Sequence, residues 1–176
     1  INSNGNYIWS KIINCTGTNQ RSNTIITDNL GYIYLGGTFN DTSYFDNNIM
    51  KISNGQNDLF VCKIDSAGLL KWVHTTGAIN SDKTTELKID SKSNLYAIGD
   101  FGDTVNFATN GSVSNLVATS THDMYVYKMH ICNTTTSLVS VNSCAQYLFN
   151  NQVLTSTGIY YDTLVNSNGC DSILTL

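Results

Sequence analysis

The chain lacks proline altogether, and charged residues make up only 12% of its 176 residues. Its nine lysines and arginines are scattered and its net charge is −4. Because a nucleic-acid-binding surface needs a basic stripe, nucleic acid is not predicted as a partner. No apolar run approaches the roughly 20 residues that span a bilayer, so no membrane span is predicted. The first residues also lack the basic and apolar regions of a signal peptide.

Histidine and cysteine are too few and too scattered to predict a metal site. The three histidines are isolated, and the five cysteines include no Cys-x-x-Cys pair. We therefore predict no metal and no cofactor. Cys15 and Cys62 lie in strand-like segments and are predicted to be small buried side chains. A surface rich in Asn, Ser and Thr favours an extracellular protein or one on the outer cell surface.

The sequence does contain an internal repeat. The pairs that recur at an offset of 62 positions are Asp28/Asp90, Tyr34/Tyr96, Gly37/Gly99, Phe39/Phe101, Asp41/Asp103, Thr42/Thr104 and Phe45/Phe107. Further pairs at offsets of 63 and 65 are Gly5/Gly68, Trp9/Trp72, Asp58/Asp123, Val61/Val126 and Lys63/Lys128. A unit of this length with many strand signals is typical of repeated β-sheets that bury their faces against one another.

Aromatic and β-branched runs bounded by Gly, Asn, Asp and Ser predict short strands, and no segment has the apolar period of a helix. We predict an all-β fold with two four-stranded propeller-type blades in residues 1–131, the first over 5–75 and the second over 76–131. Residues 5–13 are predicted to be a fourth strand without its first three. Two blades cannot close a propeller, which takes typically 4–8, so further blades or another chain would cover the open ends. The start at Ile1, within this pattern, indicates a fragment or a processed chain.

The recurring residues have structural explanations. Asp28 and Asp90 end strands, where a carboxylate accepts hydrogen bonds from turn amides. Gly37 and Gly99 interrupt strands and indicate a bulge or a close approach. Lys63 and Lys128 are predicted to point to solvent or to bridge to an acidic group. The aromatic residues predicted to pack between blades are Trp9, Trp72, Phe39, Phe101, Phe45 and Phe107.

A change of composition after Cys132 predicts a second domain over residues 132–176. Its alternating apolar and polar residues indicate the start of a small β-sandwich-like module of immunoglobulin-like or stalk type. Cys144 and Cys170 flank this segment and are predicted to form a disulfide, which would stabilise so small a module by about 3 kcal/mol.

The repeat resembles the SBBP β-propeller repeat over residues 5 to about 130. The matching positions in the second copy are Asp90, Asn94, Tyr96, Gly99, Phe101, Phe107, Asp123 and Lys128, and the first copy adds Asp65, Gly68 and Trp72. The tail, with Gly-Cys-Asp-Ser at its second cysteine, resembles modules of large secreted surface proteins of Bacteroidota. This resemblance implies export by type IX secretion. It also implies O-glycosylation at Asp-[Ser/Thr]-aliphatic sites, which here are Ser66, Thr104, Thr163 and Ser172.

These features favour a non-catalytic scaffold or adhesin-like protein, a filament component whose blades form a rigid platform. Its predicted partners are a protein or glycan ligand at the cell surface, or other chains or blades of the same assembly. A binding face is expected in the connections 40–57 and 102–122, with Tyr44, Asp46, Asp103 and Asn106 as candidates. The alternatives are a fragment of a quinoprotein-like propeller enzyme, since Gly68-x3-Trp72 also resembles blades of those dehydrogenases, and a calcium-dependent module that uses Asp28 and Asp90.

Overall fold

The computed structural model describes residues 4–108, 113–131, 135–142, 146–149, 152–165 and 171–176. Every regular element in these ranges is a β-strand, and none of the sheets closes into a barrel, so the all-β prediction is confirmed. The described residues include no helix that is long and apolar enough to cross a membrane. The chain divides into two compact units, Ile1–Met129 and His130–Leu176.

The described part of the first unit is built from short strands that follow the repeat. The strands are β1 (Asn14–Cys15), β2 (Arg21–Thr27), β3 (Ile33–Phe39), β4 (Thr42–Asp46), β5 (Ile49–Ile52), β6 (Asp58–Ile64), β7 (Leu70–Thr76), β8 (Lys83–Ile89), β9 (Asn94–Phe101), β10 (Thr104–Asn106), β11 (Asn115–Val117) and β12 (Asp123–His130). Strand β2 of the first copy starts 62 positions before β8, and β3 starts 61 positions before β9, so the repeat in the sequence is also a repeat of strands.

The two copies form two separate sheets. The first sheet has four antiparallel strands in the order β2-β3-β6-β7. The second has three strands among the described residues, in the order β12-β9-β8, so only the first copy has all four strands of the predicted unit. No described strand pairs with the outer edge of β12.

Residues 5–13, predicted to be a strand, are not one. Burial alternates along the segment, with Trp9, Lys11 and Ile13 partly buried and Ile12 exposed, as it would in a strand. However, no described strand lies beside it to complete a ladder of hydrogen bonds, and only Asn14–Cys15 pairs, with β4. The alternation of buried and exposed side chains was therefore interpreted correctly. The prediction of a strand was wrong because no described strand pairs with this segment.

A hairpin interrupts each copy between its second and third strands. The pair β4–β5 joins β1 in a small sheet, and β10–β11 forms the equivalent hairpin in the second copy. Both hairpins lie in connections that were interpreted as loops. The turn that enters each hairpin contains an aspartate with positive φ, 53° at Asp41 and 65° at Asp103. Aspartate tolerates this conformation better than most residues, which explains its recurrence.

The second sheet packs against one face of the first through β8, which contacts β2, β3 and β6. Polar groups cross between the sheets: Asn23 Nδ2 donates to the Thr84 carbonyl at 2.8 Å, and the Leu87 amide donates to Thr24 Oγ1 at 3.2 Å. Gly36 lets them approach, because a Cβ there would lie 2.7 Å from Thr84 Cγ2. The two predicted bulges are present, opposite Gly37 on β2 and opposite Gly99 on β8.

Equivalent aromatic clusters form the core of each sheet. Phe39 and Phe45 pack edge to face with 5.8 Å between ring centroids, and Phe101 and Phe107 repeat this contact at 5.8 Å. All four rings are buried. Phe45 lies on β4 and Phe107 directly follows β10, so each hairpin folds an aromatic ring back onto its own sheet.

The second unit contains a three-stranded sheet and a two-stranded hairpin. In the sheet, β17 (Asp171–Thr175) lies between β13 (Thr135–Leu138), to which it is parallel, and β16 (Tyr161–Val165), to which it is antiparallel. The hairpin pairs β14 (Tyr147–Phe149) with β15 (Gln152–Leu154). The sandwich arrangement and the boundary at residue 132 stay predictions. Cys144 and Cys170, predicted to form a disulfide, lie outside the described residues.

Candidate functional site

Three aspartates form the same five-residue turn at one end of the sheets. The Asp28 carboxylate accepts the amides of Leu30 and Tyr32 through one oxygen, at 2.9 and 3.0 Å. Asp65 and Asp90 repeat this arrangement, each accepting the amides two and four residues on. In each turn the residue three positions on donates its amide to the aspartate carbonyl. The predicted turn role of Asp28 and Asp90 is confirmed.

The same geometry bears on the calcium hypothesis. The second carboxylate oxygen of Asp90 accepts the Asn94 side-chain amide at 2.8 Å and the Tyr96 hydroxyl at 3.1 Å. These hydrogen bonds, led by the one from Asn94, lower the Asp90 pKa to about 2. Asn94 presents its nitrogen to the carboxylate, so the pair does not offer a cation two oxygens side by side. The turn uses these oxygens to hold its own backbone.

A second set of aspartates lies where the sheets are joined at the opposite strand ends. Asp58, Asp82 and Asp123 each accept the amide of the residue four positions earlier. Asp58 and Asp82 are fully buried, and both have oxygens within 2.8 Å of the point that a Cβ on Gly77 would occupy. Burial raises the Asp58 pKa to about 6, and the charge of Asp82 adds to this rise. Burial raises the pKa of Asp82 as well.

The predicted binding residues separate into two places. Tyr44 and Asp46 line one cleft of about 450 Å3 together with Trp9, Lys11 and Asn14. Asp103 and Asn106 belong to the other hairpin, on the second sheet. In the cleft Lys11 pairs with Asp46 at 2.8 Å, and this hydrogen bond lowers the pKa of Asp46. Ligand binding by these residues stays a prediction.

The two tryptophans lie on opposite faces of the first sheet. Trp9 packs against the cluster around Phe39, Phe45 and Phe60, and its Nε1 donates to the Ser66 carbonyl at 2.9 Å. The Trp72 ring lies 6.1 Å from that of Tyr34, which is paired with β6 on the face toward the second sheet. Both rings are partly buried.

The lysines predicted to face solvent differ between the copies. Lys63 is buried, with 4% of its surface exposed, and its amine lies 3.8 Å from the centre of the Tyr32 ring. Lys128 is exposed and lies 5.6 Å from the Tyr96 ring. Lys63 therefore does not point to solvent, because β6 is an inner strand that is covered on both faces. The alternative, an interaction with an acidic group, is not contradicted, since the charge of Asp28 acts on the Lys63 amine and opposes the lowering of its pKa by burial.

The cysteines and candidate glycosylation sites are placed as follows. Cys15 and Cys62 are free thiols, and Cys62 is fully buried, which raises its pKa to about 12. Ser66 and Thr104 are exposed in a turn and at the start of β10. Positions 163 and 172 lie in β16 and β17, where the structure describes the backbone alone.

One face of the second sheet carries apolar side chains with nothing described against them. Met124 is 90% exposed, Val126 73% and Ile98 40%. Their repeat equivalents on the first sheet are Leu59, Val61 and Gly36, which the second sheet covers. Leu59 and Val61 are at most 1% exposed. Sequence reasoning missed this difference, although the recurrence of Val61 as Val126 was visible in the sequence.

Comparison with protein-family models, with curated proteins and with solved structures finds no match to this chain. The resemblance to a propeller repeat therefore depends on the residues quoted above.

Proposed function

We propose that this chain is a non-catalytic scaffold of the extracellular space or the outer cell surface, built from propeller-type sheets that stack face to face. The observation that carries the proposal is the exposure of Met124 and Val126, whose equivalents Leu59 and Val61 are buried by the next sheet. Since the two copies share their strand pattern and turns, the open face fits a further sheet of the same kind.

The opposite face of the first sheet supports the same arrangement. The segment 5–13 lies there with alternating burial of its side chains and belongs to no described sheet, as the fourth strand of a preceding sheet would. Near it Ile25 is 67% exposed, whereas its equivalent Leu87 is 2% exposed against the first sheet. A further sheet could therefore pack on the open face of the second sheet, and another on the open face of the first sheet. Such a head-to-tail contact generates rings or filaments.

The energy available to this contact is substantial. Burying an exposed Met, Val or Ile side chain contributes roughly 1.5–3 kcal/mol each. Three such residues lie together on the open face, before any contribution from its strands. The outer edge of β12, which no described strand covers, would also gain a neighbour. Surface glycosylation at Ser66 and Thr104 is compatible with this packing, because both lie in turns or hairpins away from the open face.

The oligomeric state tests the proposal. The purified chain should self-associate with increasing concentration in sedimentation velocity, because a second copy supplies the missing sheet. The double substitution Met124→Lys and Val126→Lys should shift the population to monomer with little change in melting temperature. Leu30→Lys, at an exposed turn position, is the matched control and should leave association unchanged. A chain that stays monomeric at all concentrations, with the double variant indistinguishable from it, would contradict the stacking model.

A further inference from the structure

A polar cavity of about 620 Å3 lies in the first unit, and both sheets contribute to it. Its volume is within the roughly 300–1,000 Å3 range of small-molecule sites. The side chains that line it are almost all polar: Asn19, Arg21, Ser22, Asn23, Thr38, Asn57, Ser81, Lys83 and Thr85. No aromatic residue and no carboxylate is among them, so the cavity offers hydrogen bonds and positive charge.

The repeat places the two cations at equivalent positions. Arg21 starts β2 and Lys83 starts β8, 62 residues later. Each strand then bulges, at Asn23 and at Thr85, which is how the side chains of these residues also come to line the cavity. Bulges of this kind redirect a side chain and are frequent next to functional sites. Two copies of one strand thus supply two cations and two polar groups to the same space.

The charge of the cavity is only partly compensated. Lys83 forms an ion pair with Asp100 at 3.1 Å, whereas the Arg21 guanidinium takes part in no ion pair within the described residues. The nearby carboxylates of Asp58 and Asp82 accept amides from the interior and do not line the cavity. A planar guanidinium that is free to form two parallel hydrogen bonds is suited to a carboxylate ligand.

Asn57 also lines this cavity, and its side chain is only partly hydrogen-bonded among the described residues. The side-chain nitrogen of Asn57 donates to Ser81 Oγ at 2.5 Å, but Asn57 Oδ1 is buried and has no hydrogen-bond partner among the described residues. This oxygen is closed to solvent, so a ligand in the cavity does not reach it, whereas the polar side chains of Ser22, Asn23 and Thr85 are exposed there and can exchange hydrogen bonds with ligand hydroxyls. A suitable ligand therefore has hydroxyls as well as a carboxylate.

We infer that this cavity binds an acidic sugar, a uronic-acid unit whose carboxylate pairs with Arg21 and whose hydroxyls bond to Asn23 and the neighbouring hydroxyl side chains. The inference is independent of the stacking model, because every group that it uses lies within the first unit. Lys83, already paired with Asp100, adds a weaker long-range attraction.

Isothermal titration calorimetry with trigalacturonic acid tests the inference, with neutral galactotriose and inorganic sulfate as comparison ligands. Trigalacturonic acid should bind saturably with a Kd of about 1 mM or tighter, near −4 kcal/mol. Galactotriose should bind at least tenfold more weakly, and sulfate should not displace the acidic trimer at equal concentration.

Substitutions test which side chains bind the acidic trimer. Arg21→Gln should weaken binding of the acidic trimer at least tenfold, and Lys83→Gln should weaken it less. Lys92→Gln, in the turn at the far end of β8, is the control and should leave the affinity unchanged; circular dichroism checks that each variant is folded. No saturable binding, equal affinity for the neutral trimer, displacement by sulfate, or an unchanged affinity in Arg21→Gln would each overturn the assignment.

Discussion

Asp58 is a buried carboxylate whose ionisation opposes folding. It is 1% exposed, and one of its oxygens, Oδ1, is buried with no hydrogen-bond partner among the described residues. Burial, together with the charge of Asp82, raises its pKa from 3.8 to about 6. Between these two values the folded state holds a proton that the unfolded state has lost. The free energy of unfolding should therefore fall as the pH rises from about 4 to about 6.

The size of the effect follows from the shift. A shift of one pKa unit corresponds to about 1.4 kcal/mol, so a rise of about two units costs up to about 3 kcal/mol at neutral pH. Asp58→Asn removes this cost, because an amide oxygen still accepts the Asn54 amide and the amide nitrogen can donate toward Asp82. At pH 7.5 the variant should be more stable by about 1–3 kcal/mol, which for a chain of this size raises Tm by about 2–4 °C per kcal/mol.

The assay is urea unfolding followed by tryptophan fluorescence at pH values from 4.5 to 7.5. Wild-type stability should decline across this range and the Asp58→Asn profile should be flatter. Carboxylates with lowered pKa, such as Asp90, have the opposite sign and act mainly below pH 4, outside the window. Asp103→Asn is the control, since this exposed residue has a positive φ that asparagine also adopts. Burial lowers the pKa of His74, which acts on both proteins in this window with the opposite sign. An Asp58→Asn variant less stable than wild type at pH 7.5, or a stability difference between the two that does not grow from pH 4.5 to pH 7.5, would therefore refute the reasoning.

Two further predictions use the repeat as an internal control. Gly37→Ala and Gly99→Ala should each lower the free energy of unfolding by about 2–4 kcal/mol in urea, because the new Cβ would lie 1.9 Å from the carbonyl oxygen of Arg21 or Lys83. Gly5→Ala should lower it by only about 1 kcal/mol, because Gly5 has a φ of +80° but open space around it. A loss in Gly5→Ala as large as in the other two variants would contradict this. Lys63→Ala should cost about 2–3 kcal/mol through lost packing and the lost contact with Tyr32, and Lys128→Ala should stay within about 0.5 kcal/mol in the same assay. Similar values for the two lysines would show that their different burial does not matter.

Much of the fold could be predicted because the recurring residues act on their near neighbours in the sequence. Aspartate at a strand end, glycine opposite a bulge and phenylalanine beside a turn each have a local reason, and the structure places all three as that reason requires. The hairpins β4–β5 and β10–β11 were not predicted. Their strands are only three to five residues long and mostly polar or exposed, so they carry little of the alternation that indicates a strand.

The residues that were predicted wrongly or missed depend on distant neighbours. Asp82 has no repeat partner in the sequence, since Gln20 stands 62 positions earlier, and its role follows only from the approach of Asp58 and Gly77. Arg21 and Lys83 were noted as scattered charges, and only the adjacent packing of β2 and β8 brings them into one cavity. The alternation of apolar and polar residues along one strand does not show which residues of different strands come into contact.

Val61 and Val126 show what a repeat adds to this kind of reasoning. They are the same residue at the same strand position, each after an aromatic residue and two positions before a lysine, yet one is fully buried and the other is 73% exposed. Intrinsic propensity is identical for both, so the difference comes entirely from what lies against the sheet. In a single-copy protein an exposed valine means little. Here the first copy supplies the buried reference state, and under the proposed stacking the neighbour of Val126 would be another sheet whose facing strand resembles β8.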